Sequence, residues 1–223
     1  MGSDDLFHKR KAQRVSSLAR QKREKPQKPR YLIVCEGQVT EPNYFIGMRN
    51  VERLPTTHVK VCGEECGSDP LSVAEYAYSV YEEEKLDRFD RVFCVIDRDG
   101  HATFKAAETR VKALREQGVP IELVVSWPCF EYWILLHYQY RRSPYYPTRG
   151  RSSCDAVGSE IRRKHDRTYN KVQDDIYAVL RPRQAKALEH AAKAFADAEA
   201  TGEKNPCTQV HELVAALLAL KLP

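Results

Sequence analysis

The chain has 223 residues, of which 42% are hydrophobic and 30% are charged, a composition typical of a soluble globular protein. No apolar run approaches the roughly 20 residues needed to cross a bilayer, and the N-terminus lacks the apolar segment of a secretory signal. Both observations predict a cytoplasmic protein. The seven cysteines are an odd number and several lie in apolar runs, which favours reduced thiols over a disulfide framework.

The formal charge of +5 is unevenly distributed along the chain. Residues 1–30 contain ten Lys and Arg residues against three acids, a net +7, so the remainder carries −2. A basic segment with so few large apolar residues predicts a tail that is disordered or loosely helical on its own. The charge of this tail is consistent with two roles: the tail contacts nucleic acid, or it only improves solubility.

The first strong structural signal is an apolar run at Tyr31–Cys35, which is typical of a strand buried on both faces. The run stops abruptly at Glu36, next to a glycine. Thr40 is predicted to cap the following helix, over about 41–54. Glu36 would therefore lie at the carboxyl end of a core strand, where open α/β sheets bind ligands.

A second acidic site follows the apolar strand that starts at Arg91. A short strand over 57–62 and a helix capped near Asp69 separate it from the first strand. Asp97 and Asp99 are two residues apart, so on a strand they point to the same side. Neighbouring carboxylates repel each other unless a cation or a proton lies between them, and Mg²⁺ takes such oxygen ligands.

A helix over about 102–117 and a strand over 121–126 continue the alternation of strands and helices. This order predicts an α/β fold with a mostly parallel sheet and helices on both faces. The carboxyl ends of parallel strands share one rim of the sheet. Glu36, Asp97 and Asp99 are therefore expected to lie together.

An almost entirely apolar helix follows the fourth strand, from about Trp127 to His137, and is predicted to be heavily buried. Glu131 lies in its first turn, where it either caps the helix or faces the acidic rim. His137 is six positions further on, on the opposite face, and is predicted to be a structural histidine.

The composition changes after residue 140. Between Arg141 and His190 there are twelve Lys and Arg residues against six acids, with tyrosines interspersed. This mixture favours nucleic-acid binding, and a helical layer with a solvated face is the alternative. Helices are predicted over about 154–167, 171–180, 183–200 and 207–220, and a mobile loop over Pro144–Ser153. The predicted nucleic-acid-binding residues are Arg141, Arg142, Arg149, Arg151, Arg162, Arg163 and Lys164, and the tyrosines are Tyr140, Tyr145, Tyr146, Tyr169 and Tyr177.

Four segments together resemble the RloB-like family, although each one alone would be a weak signal. The segments are CEG-x-x-TEPNYF at Cys35–Phe45, V-x-D-x-DG at Val95–Gly100, PCFE-x-W-x-x-LH at Pro128–His137 and NP-x-T-x-VH at Asn205–His211. The resemblance covers nearly the whole chain after the basic tail.

The resemblance implies a Toprim-type catalytic core over 31–140, as in topoisomerases, bacterial primases and OLD-type nucleases, with a helical basic extension over 141–223 packed on it. In Toprim proteins the glutamate after the first strand and a later Asp-x-Asp bind Mg²⁺ and support phosphoryl transfer. This implies catalytic and metal-binding roles for Glu36, Asp97 and Asp99, with Mg²⁺ or Mn²⁺ as the cofactor. Glu41 or Glu131 would complete a second metal site.

The chain also departs from the Toprim pattern. Many Toprim proteins have a third acidic position in the Asp-x-Asp cluster, whereas Gly100 and His101 follow here. No lysine motif for transition-state stabilisation is evident either. The catalytic and metal-binding roles of Glu36, Asp97 and Asp99 therefore rest on the resemblance to the family.

The predicted function is a Mg²⁺-dependent nuclease that hydrolyses DNA or RNA. The RloB-like family is associated with bacterial defence loci that encode restriction systems or partner ATPases, so the resemblance implies a role in anti-phage defence, including abortive infection. One alternative is a non-catalytic nucleic-acid-binding or sensor subunit that works with a partner defence protein. Another is primase-like nucleotidyl transfer, which uses the same acids.

Overall fold

The computed structural model describes residues 29–56, 59–63, 65, 67, 69–98, 100 and 102–221. The predicted tail lies outside the described residues except for residues 29 and 30, and Asp99 lies outside them as well. No disulfide links the six described cysteines, as the sequence predicted.

One sheet of five strands forms the centre of the molecule, in the order β2-β1-β3-β4-β5. The strands are β1 Tyr31–Cys35, β2 Val59–Cys62, β3 Arg91–Asp97, β4 Ile121–Trp127 and β5 Cys207–Thr208. The first four are parallel, and β5 is antiparallel to β4. The predicted α/β class with a mostly parallel sheet is confirmed.

Eight α-helices are present among the described residues. They are α1 Thr40–Val51, α2 Pro70–Glu83, α3 Phe104–Glu116, α4 Glu131–Leu136, α5 Ser153–Lys164, α6 Ile176–Leu180, α7 Gln184–Thr201 and α8 Val210–Ala219. A 3₁₀ turn, Arg181–Arg183, connects α6 to α7. Each predicted helix is present, but α4 and α6 are shorter than predicted because the segments before them are irregular.

Helices cover both faces of the sheet. Alternate residues of β1 point in opposite directions: Ile33 belongs to the larger core cluster, with residues of α1 and α4 to α8, and Leu32 to the smaller cluster, with residues of α2 and α3. The same alternation holds for Phe93 and Val92 of β3. Burial on both faces explains why these two strands are apolar at nearly every position.

The register of the central strands aligns their carboxyl ends. Cys35 at the end of β1 pairs with Val95, and Asp97 at the end of β3 pairs with Ser126 of β4. The N–H of Glu36 continues this ladder by donating a hydrogen bond to the carbonyl of Val95 at 2.9 Å. Glu36 and Asp97 therefore lie on the same rim, at neighbouring strands.

The two predicted helix caps have different outcomes. Asp69 is the N-cap of α2, and its carboxylate accepts hydrogen bonds from the N–H groups of Leu71 and Ser72, as predicted. The prediction that Thr40 caps α1 is wrong, because Thr40 is already helical and the N-cap is Val39. The Thr40 hydroxyl instead donates to the main-chain carbonyl of Lys171 at 2.9 Å.

The C-terminal segment contributes a strand as well as helices. Residues 207 and 208 were predicted to begin a helix, but they form β5 and pair with the end of β4. Arg142 holds this region in place, because its guanidinium contacts Asp197 of α7 and the main-chain carbonyls of Glu203 and Pro206. The segment after residue 140 therefore completes the sheet.

Candidate metal and catalytic site

Glu36 and Asp97 meet at the carboxyl ends of β1 and β3. The main-chain N–H of Asp97 donates a hydrogen bond to Glu36 Oε2 at 2.9 Å. Asp97 Oδ1 in turn accepts a hydrogen bond from the N–H of Phe130, directly before α4, at 2.9 Å. Each bond engages one oxygen of its carboxylate. The ends of two strands and the start of a helix thus fix the orientation of both acids.

Asp97 also belongs to a compact group of four side chains with metal-ligating atoms. The other members are Cys129, Glu131 and Cys154, and one ligand atom from each of the four lies within 4.8 Å of the others. Cys129 and Glu131 are buried, whereas Asp97 and Cys154 are half-buried. We call these four residues the Asp97 cluster; Glu36 lies beside it, hydrogen-bonded to Asp97, but is not a member.

Glu41 places a further buried carboxyl group beside the Asp97 cluster. Burial, with repulsion from Glu131 and Glu36, raises its pKa to about 7. Burial and the charges of Glu41 and Glu131 likewise raise the pKa of Asp97 well above its ordinary range. The carboxyl groups at this rim therefore destabilise one another's charged forms, and a bound cation would relieve the repulsion.

Lys171 supplies a positive charge at the same place. Its ammonium group lies 2.5 Å from Glu131 Oε1. Partial burial by itself would lower the pKa of Lys171, but the charge of Glu131 raises it. The hydrogen bond from the Thr40 hydroxyl to its main-chain carbonyl ties the residue to the start of α1. No sequence motif marks Lys171, which lies in an irregular segment between α5 and α6.

Tyr169 faces this group of charges from the same irregular segment. Its side chain is 4% exposed, and its hydroxyl has no hydrogen-bond partner among the described residues. Burial raises the pKa of Tyr169, and the charges of Glu131, Cys129 and Glu41 add to the effect. The hydroxyl thus lies within electrostatic range of the Asp97 cluster.

A family model described as RloB-like protein matches residues 31–217, a range that includes the Asp97 cluster. The chain belongs to the RloB-like family. No curated protein and no solved structure matches the chain. Within the part of the chain that the structure describes, no helix is both long enough and apolar enough to span a membrane.

The basic residues predicted to bind nucleic acid in this RloB-like protein fall into two groups. Arg141 and Lys164 form ion pairs with Glu160, and Arg142 is engaged with Asp197 and with main-chain carbonyls. The side chains of the second group are exposed to solvent. These are Arg149, Arg151, Arg162 and Arg163. The second group is better placed to contact phosphates, although Lys164 of the first group is also partly exposed. Nucleic-acid binding stays a prediction for both groups.

Most of the tyrosines in this region are unavailable for base stacking. Tyr145, Tyr169 and Tyr177 are buried in the larger core cluster, so their proposed contribution to nucleic-acid binding is wrong. They were misassigned because a tyrosine that packs in a helical layer has the same sequence appearance as an exposed one. Tyr146 is 65% exposed and remains able to stack on a base.

A cleft of about 490 Å³ opens next to the Asp97 cluster in this RloB-like protein. Its lining includes Trp127 and Pro128, directly before Cys129, and Ser153, directly before Cys154. The guanidinium of Arg98 lies over the Phe104 ring at 4.3 Å and over the Trp127 ring at 5.4 Å. This side of the cleft therefore combines a cationic group with aromatic rings.

His137 lies in the core as predicted. It is fully buried, and its Nδ1 is 3.0 Å from the main-chain carbonyl of Trp133. Burial lowers its pKa to about 4, so the ring is neutral at physiological pH. His137 lies directly after the end of α4, and its contact with the Trp133 carbonyl is consistent with the predicted structural role.

Proposed function

We propose that this RloB-like protein is a Mg²⁺-dependent phosphodiesterase of the Toprim type that cleaves DNA or RNA in bacterial anti-phage defence. One observation carries the proposal: buried or partly buried carboxyl groups converge on the rim of a parallel sheet. They come from the residue after β1, from α1, from the end of β3 and from the start of α4, which span almost 100 positions of the sequence. The groups are Glu36, Glu41, Asp97 and Glu131.

The donor set at the rim fits a hard divalent cation. Carboxylate oxygens are the ligands that Mg²⁺ prefers. Burial and repulsion from neighbouring acids raise the pKa values of Glu41 and Asp97, and a bound cation would favour their charged forms. Asp97 and Glu131 would hold the ion together with Glu36, and Asp99 is a further proposed ligand outside the described residues. When bound, Mg²⁺ supplies Lewis-acid polarisation of a phosphoryl oxygen.

The residues of the chain itself would perform the remaining steps. Glu36, held by the N–H of Asp97, is oriented either as a ligand or as the group that takes up and releases a proton. Glu41 lies within electrostatic range of both Glu36 and Glu131 and is the second candidate for that proton. The ammonium of Lys171 can offset negative charge on a bound phosphate, a role for which the sequence offered no motif.

The direct test compares nucleic-acid cleavage by the wild type with Glu36→Gln and Asp97→Asn. The substrates are single- and double-stranded DNA and RNA, each with Mg²⁺, with Mn²⁺ and with chelator. Both variants should lose at least about 100-fold in activity, because each removes a charged group at the reacting centre. Melting temperatures of the variants, measured without metal, show whether they fold.

Glu116→Gln is the matched control, because it makes the same chemical change at an exposed position at the end of α3. Its cleavage rate should equal that of the wild type. Equal cleavage by wild type, Glu36→Gln and Asp97→Asn would indicate a contaminating nuclease and remove the proposal's support.

A second candidate function is a nucleic-acid-binding or sensor subunit that acts with a partner such as an ATPase. The exposed arginines before and within α5 favour this function, because cationic side chains can bind phosphates without catalysing any reaction. Such a subunit would bind nucleic acid in the presence of chelator and would be unaffected by Asp97→Asn. Primase-like nucleotidyl transfer is tested in the same reactions by adding labelled nucleotides and looking for extended products.

A further inference from the structure

Two of the four ligand groups in the Asp97 cluster are thiols, which a magnesium site does not require. Cys129 lies in the turn before α4, and Cys154 lies in the first turn of α5. Mg²⁺ prefers oxygen ligands throughout, whereas thiolates select softer cations such as Zn²⁺. Zinc accepts both thiolate and carboxylate ligands and is almost always four-coordinate in structural sites, so two sulfur and two oxygen ligands would complete its coordination.

We propose that Cys129, Cys154, Asp97 and Glu131 form a binding site for a thiophilic divalent cation of the zinc type. The site needs no rearrangement of the backbone elements. Ligand atoms around tetrahedral zinc are about 3.5 Å apart, given metal–ligand distances of about 2.0 to 2.3 Å. The four atoms already lie within 4.8 Å of one another, so side-chain movements on the order of 1 Å would close the site.

The charges around the cluster show that a cation is favourable there. Lys171 places its ammonium beside Glu131 at 2.5 Å, with Cys129 and Cys154 also within its electrostatic range. Its side chain is 47% exposed, so it can swing into solvent when a metal ion supplies the positive charge instead. Lys171 thus stabilises the metal-free form without blocking the site permanently.

The Tyr169 hydroxyl is an independent sign of a ligand at this place. It is buried beside Glu131 and Cys129 and has no hydrogen-bond partner among the described residues. A buried hydroxyl without a partner costs roughly 1–3 kcal/mol. A metal-bound anion or water at the cluster would give this hydroxyl a partner.

The proposed zinc-type site shares Asp97 and Glu131 with the proposed magnesium site. The two cations would therefore compete, and zinc would inhibit a magnesium-dependent reaction; this consequence, unlike the binding itself, rests on the proposed function. Thiolate ligands give the softer cation the higher affinity, so low zinc concentrations should displace magnesium.

The test uses the full chain, reduced, stripped with chelator and titrated with Co²⁺, a spectroscopic substitute for Zn²⁺. We expect one equivalent to bind and to produce visible bands of a tetrahedral site with a near-ultraviolet thiolate-to-cobalt band. Zn²⁺ should abolish these bands, and a large excess of Mg²⁺ should leave them in place. Zn²⁺ should also raise the melting temperature, because the four ligands are brought together in the folded state, which therefore binds the ion more tightly than the unfolded chain does.

Cys154→Ser is the main variant, because Cys154 is half-buried and its loss leaves the core intact. It should reduce the thiolate-to-cobalt band by about half and weaken zinc binding at least 10-fold. Cys62→Ser is the matched control, since it removes a buried thiol from β2 and should change neither quantity. Asp97→Asn should weaken binding but keep the intensity of the thiolate band at saturation.

The absence of a thiolate band in the wild type would overturn the proposal. So would a band that survives Cys154→Ser, or one that Cys62→Ser reduces equally. A protein that under air forms a Cys129–Cys154 disulfide, yet binds no metal when reduced, would likewise refute it in favour of a redox pair. Metal binding without nuclease activity would support the site while refuting the proposed function, and the reverse result would refute only the site.

Discussion

At the scale of single residues, Gly37 determines where the Glu41 carboxyl group can lie. A Cβ atom on Gly37 would overlap the carboxylate of Glu41, which packs directly over the glycine backbone. Glu41 is 6% exposed, so it has little room to move elsewhere. The glycine after β1 therefore keeps a buried acid next to Glu36, in addition to forming a turn.

Gly37→Ala should displace Glu41 and destabilise the protein by roughly 1–3 kcal/mol, the usual cost of overpacking. Gly158→Ala is the control. A Cβ atom on Gly158, within α5, would make only ordinary contacts at 3.9 Å or more, and removing a helical glycine usually stabilises by roughly 0.5–1 kcal/mol. Urea unfolding of both variants measures the two changes. Equal effects at the two positions would contradict the role assigned to Gly37.

The sequence allowed Glu36 and Asp97 to be placed at one rim, because apolar strands that end on acids can be recognised locally. It did not allow Cys129, Cys154 and Lys171 to be grouped. These three come from segments that are irregular or separated by helices, and their meeting depends on how α5 docks against α4. Docking of this kind is a tertiary property that periodicity does not encode.

At the scale of elements, Glu160 connects α5 to the segment that follows α4. Its side chain is buried, and it accepts hydrogen bonds from Gln139, Arg141, Tyr145 and Lys164 at 2.8 to 3.0 Å. Burial by itself would raise its pKa, but the hydrogen bonds from Lys164 and Tyr145 and the charge of Arg141 lower it to about 2. The carboxylate is therefore charged and fully paired at neutral pH.

This pairing predicts a pH-dependent contribution to stability. The folded-state pKa of about 2 lies below the ordinary 4.5, so the contribution is fully present above pH 4.5 and is lost as the pH falls towards 2. Glu160→Gln should lower the free energy of unfolding by roughly 2 kcal/mol at pH 7, less than full linkage predicts because Lys164 is exposed. The difference from wild type should shrink by about half at pH 3.

Denaturant unfolding at both pH values measures the effect of Glu160→Gln. Glu116→Gln, at the exposed end of α3, should stay within about 0.5 kcal/mol of the wild type throughout. A difference between Glu160→Gln and wild type that is the same at pH 7 and pH 3 would show that the paired charge is not its source.

The elements themselves were largely predictable from the sequence. The alternation of apolar strands with amphipathic helices predicted a parallel sheet, because a helix that connects two successive strands usually returns the chain to the same end of the sheet. The two residues of β5 were not predictable, since their only strand-like property is the pairing with β4. Arg142 was similarly assigned to nucleic acid, whereas it holds β5 and α7 in place.

At the scale of the whole molecule, positive charge is divided between internal pairing and exposed surface. Arg141, Arg142 and Lys164 are engaged by protein groups, which leaves fewer cations for phosphates than the composition of this region suggests. The exposed cations of the folded part include Arg149, Arg151, Arg162 and Arg163. Residues 1–28 add nine Lys and Arg residues against three acids. Residues 1–28 therefore carry a net charge of +6, which exceeds the +5 of the whole chain, and the rest of the chain is slightly acidic.

Deleting residues 1–28 should weaken nucleic-acid binding and reduce its dependence on salt. Each phosphate contact contributes about −0.9 to the slope of log K against log salt for duplex DNA, so the loss of even three contacts flattens that slope by roughly 2.7. Fluorescence anisotropy measured over roughly 50 to 200 mM salt gives this slope.

The deletion also decides between the two roles open for the tail. If residues 1–28 contact nucleic acid, the slope flattens while the melting temperature stays unchanged, and replacing the nine cations of the segment with glutamine has the same effect as removing it. If the segment only improves solubility, the slope stays the same and the deleted protein precipitates at lower concentration. If the slope is unchanged, the exposed arginines before and within α5 are the remaining candidates for contact with the phosphate backbone.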